Sequence, residues 1–96
     1  MKLYCIVRKD LSTSQQAVQA GHAVAEFLLR GKPSSWSNGT LIYLGVKGLN
    51  QLEKLKYKFE QDNIHYTEFR EPDIENEPTA ICTDVGNKYI EKLNLL

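Results

Sequence analysis

The chain has 96 residues, 42% hydrophobic and 25% charged, and its 12 Lys/Arg balance its 12 Asp/Glu. That composition suits one small globular domain, residues 1–96, with a modest core, and it excludes a molecule whose net charge alone traps nucleic acid. No apolar run is long enough to span a bilayer, and two distant cysteines without a Cys-x-x-Cys pair make no zinc site.

The charge is unevenly spread. Residues 1–48 carry six Lys/Arg and two Asp/Glu, and residues 49–96 carry six and ten. A neutral chain can therefore still present a basic face to a polyanion. The start of the chain reads directly as a strand and lacks the regions of an export signal, so the cytoplasm is the expected compartment. Cys5 and Cys82 lie in apolar runs and are expected as buried, reduced thiols.

Residues 3–7, Leu-Tyr-Cys-Ile-Val, form a continuous β-prone run that suits a strand buried on both faces. Ser12, Thr13 and Ser14 then offer N-caps for a helix over residues 15–30. Ala17, Ala20, Gly21, Val24 and Leu28 recur at helical steps and predict its packing stripe, with Gly31 and Pro33 as the stop. After a polar loop (34–39) containing Trp36, residues 40–46 predict the second strand. Leu49, Leu52, Leu55 and Phe59 predict the apolar face of a second helix ending near Asn63, with Lys54, Lys56 and Lys58 on a solvated face. Residues 64–69 predict a third strand, the acidic Glu71–Pro78 stretch a loop, and residues 79–83 a fourth strand. Asn87 to Leu95 predict a final helical turn or two.

This order, β-α-β-α-β-β-α, predicts an α/β three-layer sandwich: a mixed four-stranded sheet with helices on both faces. A βαββαβ sandwich does not fit, because the third and fourth strands follow the second helix.

Candidate chemistry gathers where the first strand runs through Arg8-Lys9-Asp10-Leu11 into the first helix. At about 100° per residue, Gln15, Gln19, His22 and Glu26 share an arc roughly 60° wide, opposite the small apolar stripe. Any surface helix has a polar face, which accounts for Gln15 and Glu26. It accounts less well for a histidine and an amide beside a charged turn. His22 reads either as a structural hydrogen-bonder or as a proton carrier near neutrality. Asp10 reads either as part of the helix cap or as a site carboxylate at the carboxyl end of a strand. Glu71-Pro72-Asp73 followed by Thr79 is a second candidate, whereas Glu75 and Glu77 read as solvated loop acids. The carboxylates between 68 and 77 lack the spacing and glycine of a calcium loop. There is neither a nucleophile elbow nor a glycine-rich phosphate loop.

Tyr4-Cys-Ile-Val-Arg-Lys-Asp-Leu11, followed by Ala17-Val-Gln-Ala-Gly-His-Ala23, resembles the opening of the type 2 (archaeal and eukaryotic) peptidyl-tRNA hydrolases. In that family a V-R-x-D-L strand end precedes a helix with A-A-Q-x-x-H-A. The likeness extends over nearly the whole chain, though beyond these two motifs it is mainly pattern. It implies a mixed four-stranded sheet with helices on both sides, frequent homodimers, and cofactor-free hydrolysis of the ester between a peptide and the 3′ end of tRNA. It also implies that Asp10, Gln19 and His22 occupy family positions, and that Thr79 matches the threonine opening the final strand.

Two departures stand out. Aligned from Gln19 and His22, Gln15 takes the place of the family's lysine, which is thought to be catalytic. Glu71-Pro72-Asp73 stands where the family has D-A-G-R-T, so Glu71 would supply the carboxylate there. Glutamine is uncharged and does not replace a lysine at an oxyanion or a phosphate. The expected catalytic set is Asp10, Gln19, His22, Glu71 and Thr79. The expected substrate-binding set is Arg8, Lys9, Gln15, Arg30 and Lys32, with Lys2 also on the phosphate-binding side. The leading reading is peptidyl-tRNA hydrolysis without metal or cofactor. The rival is a non-catalytic RNA- or protein-binding module on the same fold; a metabolite-binding regulatory domain has only size and fold class behind it.

Overall fold

Each strand position here is decided by which face of one sheet it buries. A computed structural model describes residues 2–31 and 39–96. Its elements run β1 (Lys2–Arg8), α1 (Thr13–Glu26), β2 (Thr40–Val46), α2 (Leu49–Gln61), β3 (Thr67–Glu71) and β4 (Glu77–Thr83). The sheet order is β2-β1-β4-β3, with β1 parallel to β2, and β4 antiparallel to both β1 and β3.

Alternation along β1 builds two cores. Leu3, Cys5 and Val7 point to one face, where they meet Ala20, Ala23 and Phe27 together with Ala80 and Cys82 of β4. Ile6 points to the other, joining Leu44, Val46, Leu52, Leu55, Phe59, Ile81 and Ile90. The helices therefore cover opposite faces, and the three-layer arrangement expected from the element order is present. Burial of Phe27 and Phe59, one on each face, contributes about 1.5–3 kcal/mol apiece. Cys5 and Cys82 are cross-strand partners, free and buried, and burial pushes both thiols up in pKa.

Four details differ from the sequence expectation. First, the buried face of α1 is centred on Gln19, Ala20 and Ala23 and runs on to Phe27 in a π-helical turn (Phe27–Gly31). Ala17, Gly21 and Leu28 of the expected stripe are exposed. The packing face lies roughly 100° round the helix from the small-residue stripe. Gln19 can enter it because its polar atoms find buried partners. Second, β3 starts at Thr67, since Ile64 closes α2 instead: Asn63 adopts the left-handed conformation (φ 56°) and the Ile64 amide donates to the Phe59 carbonyl at 2.8 Å. Third, β4 starts at Glu77, so the acidic loop is a tight hairpin. A 3₁₀ turn at Pro72–Ile74 and left-handed Glu75 and Asn76 bring Glu71 opposite Glu77.

Fourth, residues 87–95 form turns rather than a last helix. Ile90 is buried on the α2 side, and Leu95 bridges antiparallel to Leu44. The Leu96 amide donates to the Tyr43 carbonyl and the Gly45 amide to the Asn94 carbonyl. The tail thus pairs the open edge of β2, whose backbone groups a helix would have left bare. Among the described residues no helix is long and apolar enough to cross a membrane. Most of the polar loop with Trp36, along with Pro33 and Lys32, lies outside the described residues.

Candidate functional site

Ser12, not Asp10, caps α1: its hydroxyl accepts from the Gln15 amide at 3.2 Å. Gln16 reaches back and donates to the Leu11 carbonyl at 2.8 Å, which fastens the Lys9–Leu11 turn to the helix. Asp10 is thereby free to meet other partners. Its carboxylate lies beside Gly48, which opens α2 without a side-chain cap. A carboxylate near a helix N-terminus is favoured by the unpaired amides there.

Asp10 is also held by Arg8 in a two-pronged pair, with Nε donating to Oδ1 at 3.0 Å and Nη2 to Oδ2 at 2.7 Å. Nη1 of the same guanidinium donates to Glu77 at 2.8 Å and to the Pro78 carbonyl at 3.3 Å. Arg8 is buried, and such an arginine is tolerated because its donors are matched to two carboxylates and a carbonyl. The Arg8 hydrogen bonds hold the Asp10 carboxyl below the usual carboxylate range, outweighing desolvation. Asp10 in turn raises the pKa of Arg8. Arg8, expected on a phosphate-binding face, is therefore an internal clamp that spends four of its five N–H donors within the chain.

The second cluster is centred on Gln19, which is fully buried. Its Nε2 donates to Gln15 Oε1 at 3.0 Å and to Glu71 Oε1 at 2.9 Å. Its Oε1 accepts from the Thr79 hydroxyl at 2.7 Å, with Thr79 also fully buried. An ionised Glu71 only accepts, so the amide nitrogen must face it, and this fixes the orientation of Gln19. Gln15 is exposed at the first turn of α1 and spends its oxygen on Gln19, leaving its amide donors outside that bond. The hairpin register ties the two clusters together, because Glu71 of the second lies opposite Glu77 of the first.

His22 sits one turn beyond Gln19. It is exposed and stacked flat on Phe69, with ring centroids 4.2 Å apart and planes within 5°. Stacking on β3 holds it, rather than a bond to Asp10 or Glu71. Lys9 is exposed, and its aliphatic chain crosses Gly45, where an added Cβ would collide with Lys9 Cδ. Arg30 pairs with Glu26 at 2.7 Å. Lys32 lies outside the described residues. The structure thus brings Gln15, Gln19, Glu71 and Thr79 into one network and Arg8 and Asp10 into another, and it leaves His22, Lys9 and Arg30 apart from both.

Glu77 escaped the sequence reading. Its place in an acidic stretch before a proline suggested solvent, and only the hairpin register shows it reaching Arg8. The opening of α2 was missed as well: Asp10, Lys47, Gly48, Leu49, Asn50 and Gln51 line a hollow of about 400 Å³. Among the described residues no group of three or more His, Cys, Asp or Glu is placed to hold a metal ion.

A protein of unknown function, Atu0240 from Agrobacterium tumefaciens strain C58, has a similar structure. The TM-score is 0.72 at 12% identity, over 99% of this chain and 96% of that one, a likeness of fold alone. No curated protein matches the chain. The family model for peptidyl-tRNA hydrolase PTH2 matches residues 1–94, and the chain belongs to that family.

Proposed function

We propose that the chain hydrolyses the ester between a peptide and the 3′ end of tRNA, with the reacting groups at the Gln15–Gln19–Glu71–Thr79 network. The observation that carries this reading is the buried Gln19 amide, which ties Gln15 and Glu71 to one nitrogen while Thr79 fixes its other end. An exposed donor, Gln15, and a half-buried acceptor, Glu71, are thereby held in a fixed relation.

Glu71 is the better-suited base. Arg8 occupies both oxygens of Asp10 and depresses its proton affinity, so Asp10 accepts a proton poorly. In the proposed step Glu71 takes a proton from a water whose oxygen attacks the ester carbonyl carbon. The Gln15 amide donates to the oxygen that gains charge, as a neutral hydrogen-bond donor without the charge a lysine would bring there. Collapse breaks the bond to the tRNA 3′-end oxygen, which receives the proton held by Glu71. Asp10 and Arg8 brace the turn from β1 to α1 and so position Gln15.

The test is incubation of the purified protein with end-labelled peptidyl-tRNA. Release is expected from the native chain and is expected to fall at least about 100-fold in Glu71→Gln, the usual scale for a lost general base. No release above background, at enzyme levels where an active hydrolase of the family finishes, overturns the reading.

The second reading is a tRNA-binding module without turnover. Gln15 carries no charge, and Arg8 is committed to Asp10 and Glu77. Salt-dependent tRNA binding without ester cleavage is its signature.

A further inference from the structure

The half of the chain with the excess of carboxylates carries most of the exposed lysines of one face. Three adjoining hollows lie between α2, the C-terminal turns and the end of β2. Lys54 and Lys58 line the first, Lys58, Lys88 and Lys92 the second, and Lys9, Lys47 and Lys92 the third. No carboxylate is among their lining residues, and all six lysines are exposed. Half of the chain's 12 Lys/Arg therefore stand on this one surface.

Among the described residues none of the six forms an ion pair, whereas Arg8, Arg30, Lys56 and Arg70 all do. Every ion pair among the described residues therefore lies outside this group of lysines, and no carboxylate neutralises them in pairs. Tyr89 sits at its middle, half-buried, with the Lys58 and Lys88 ammonium groups 5.6 and 5.2 Å from its ring centre. Its hydroxyl donates to Asp62 at 2.6 Å, the one carboxylate among the described residues that reaches the face through a side-chain bond. At its other end the face reaches Asp10, at the turn from β1 to α1, because Lys47 and Gln51 line both the third hollow and the one beside Asp10.

We propose that this lysine band, Lys54–Lys58–Lys88–Lys92–Lys47–Lys9, is the surface on which the sugar-phosphate backbone of the RNA docks, leading the ester-bearing end to the Asp10–Gln15 turn. The identification of the occupant as RNA rests on the tRNA-ester reading above. The charge argument does not: unpaired, flexible ammonium groups in a row suit a repeating anion and carry no base specificity. An acidic peptide would also meet positive charge, but the run of the band up to Asp10, at the turn that leads into Gln15, favours the polymer to which the ester is joined.

The test measures binding of fluorescently labelled deacylated tRNA across a salt series, for the native chain and for Lys58→Ala/Lys88→Ala/Lys92→Ala. Each lost phosphate contact lowers the slope of log K against log salt by about 1. The triple variant is therefore expected to bind at least about tenfold more weakly at low salt, with a slope shallower by about 2–3. A thermal melt checks that it folds. In hydrolysis it is expected to raise KM for full peptidyl-tRNA, with kcat and the cleavage of a short peptidyl-oligonucleotide unchanged.

If the native chain binds tRNA through these lysines but cleaves no ester, the band stands and the catalytic reading falls. If a folded variant binds tRNA as tightly as the native chain, the band is overturned, whatever the activity. Lysine-dependent binding of anionic vesicles or a polyglutamate peptide in place of tRNA overturns it too.

Discussion

Thr79 donates its hydroxyl to the side-chain oxygen of Gln19 at 2.7 Å, and neither residue is reached by solvent. The bond joins β4 to α1 at the residue that the β3–β4 register skips, so it is both a stability element and the anchor of the candidate site.

Thr79→Val keeps the shape and removes the donor, leaving a buried amide oxygen without its partner. The expected cost is about 1–3 kcal/mol in urea unfolding. Because Gln19 no longer has a fixed orientation, ester cleavage is expected to fall by more than the loss of folded protein explains. Thr79→Ser restores the hydroxyl and is expected to recover most of the activity. A valine variant with native stability and native turnover contradicts the anchoring role.

The Arg8–Asp10 pair makes a pH-dependent contribution with a defined sign. The folded pKa of Asp10 is lowered, so the stability it supplies is present in full above the ordinary carboxylate pKa of about 3.9 and is lost as pH falls through the lowered folded value. Asp10→Asn is expected to lower stability at pH 7 and to reduce its fall between about pH 4 and pH 2. Thermal melts of both proteins across that range check the sign. Arg8→Lys, which cannot fork onto Asp10 while also reaching Glu77 and the Pro78 carbonyl, is expected to destabilise as well.

How much of this the sequence discloses depends on how local the information is. The unbroken run Leu3–Val7 identifies a strand covered on both faces, because no polar residue interrupts it. The first two helices and the layer order follow from spacing and caps in the same way, whereas the helix expected near the C-terminus does not form. The rotation of α1 does not. Ala17, Gly21 and Leu28 look like a packing stripe until β4 supplies Thr79 and β3 supplies Glu71 for Gln19, and those partners lie 60 and 52 residues away. Glu77 is hidden for the same reason, since its partner Arg8 lies 69 residues away in sequence. The lysine band draws on the turns that follow β1 and β2, on α2 and on the C-terminal turns, so no window of sequence contains it.

Lys56 is a further case of this kind: its spacing puts it on a solvated helix face, yet it is nearly buried. Its ammonium meets Glu68 of β3 at 2.6 Å and Glu53 at 3.0 Å. Desolvation works against its charge, but the two carboxylates outweigh it and raise its pKa. The stability gained is fully present below the ordinary lysine value of about 10.4 and is lost as pH rises through the raised folded value. Lys56→Ala is expected to cost about 1–3 kcal/mol at pH 7, moderated by the partial exposure of both carboxylates, and to be less sensitive to alkali than the native chain. Unfolding at pH 7 and at about pH 11 checks both. Equal losses at the two values contradict the ion-pair account.

Gln15 is the position where a single substitution separates a weak enzyme from a binding module. It opens α1 beside Glu71's anchor, and its oxygen already accepts from Gln19. A lysine there removes that acceptor but adds a cation near a cluster in which Arg8 is outnumbered by Asp10, Glu71 and Glu77. If the ester reacts at this network, Gln15→Lys stabilises the charge gained by the carbonyl oxygen, and turnover is expected to rise about 10–100-fold, the scale of one added charge-assisted donor. Gln15→Met, which matches the lysine's length without its charge, is expected to lose activity. Single-turnover cleavage of labelled peptidyl-tRNA by the three proteins decides it. If Lys and Met variants respond alike, the site does not act through charge at this position. If none of the three cleaves, Gln15 is a structural partner of Gln19 and the tRNA-binding module is the better description.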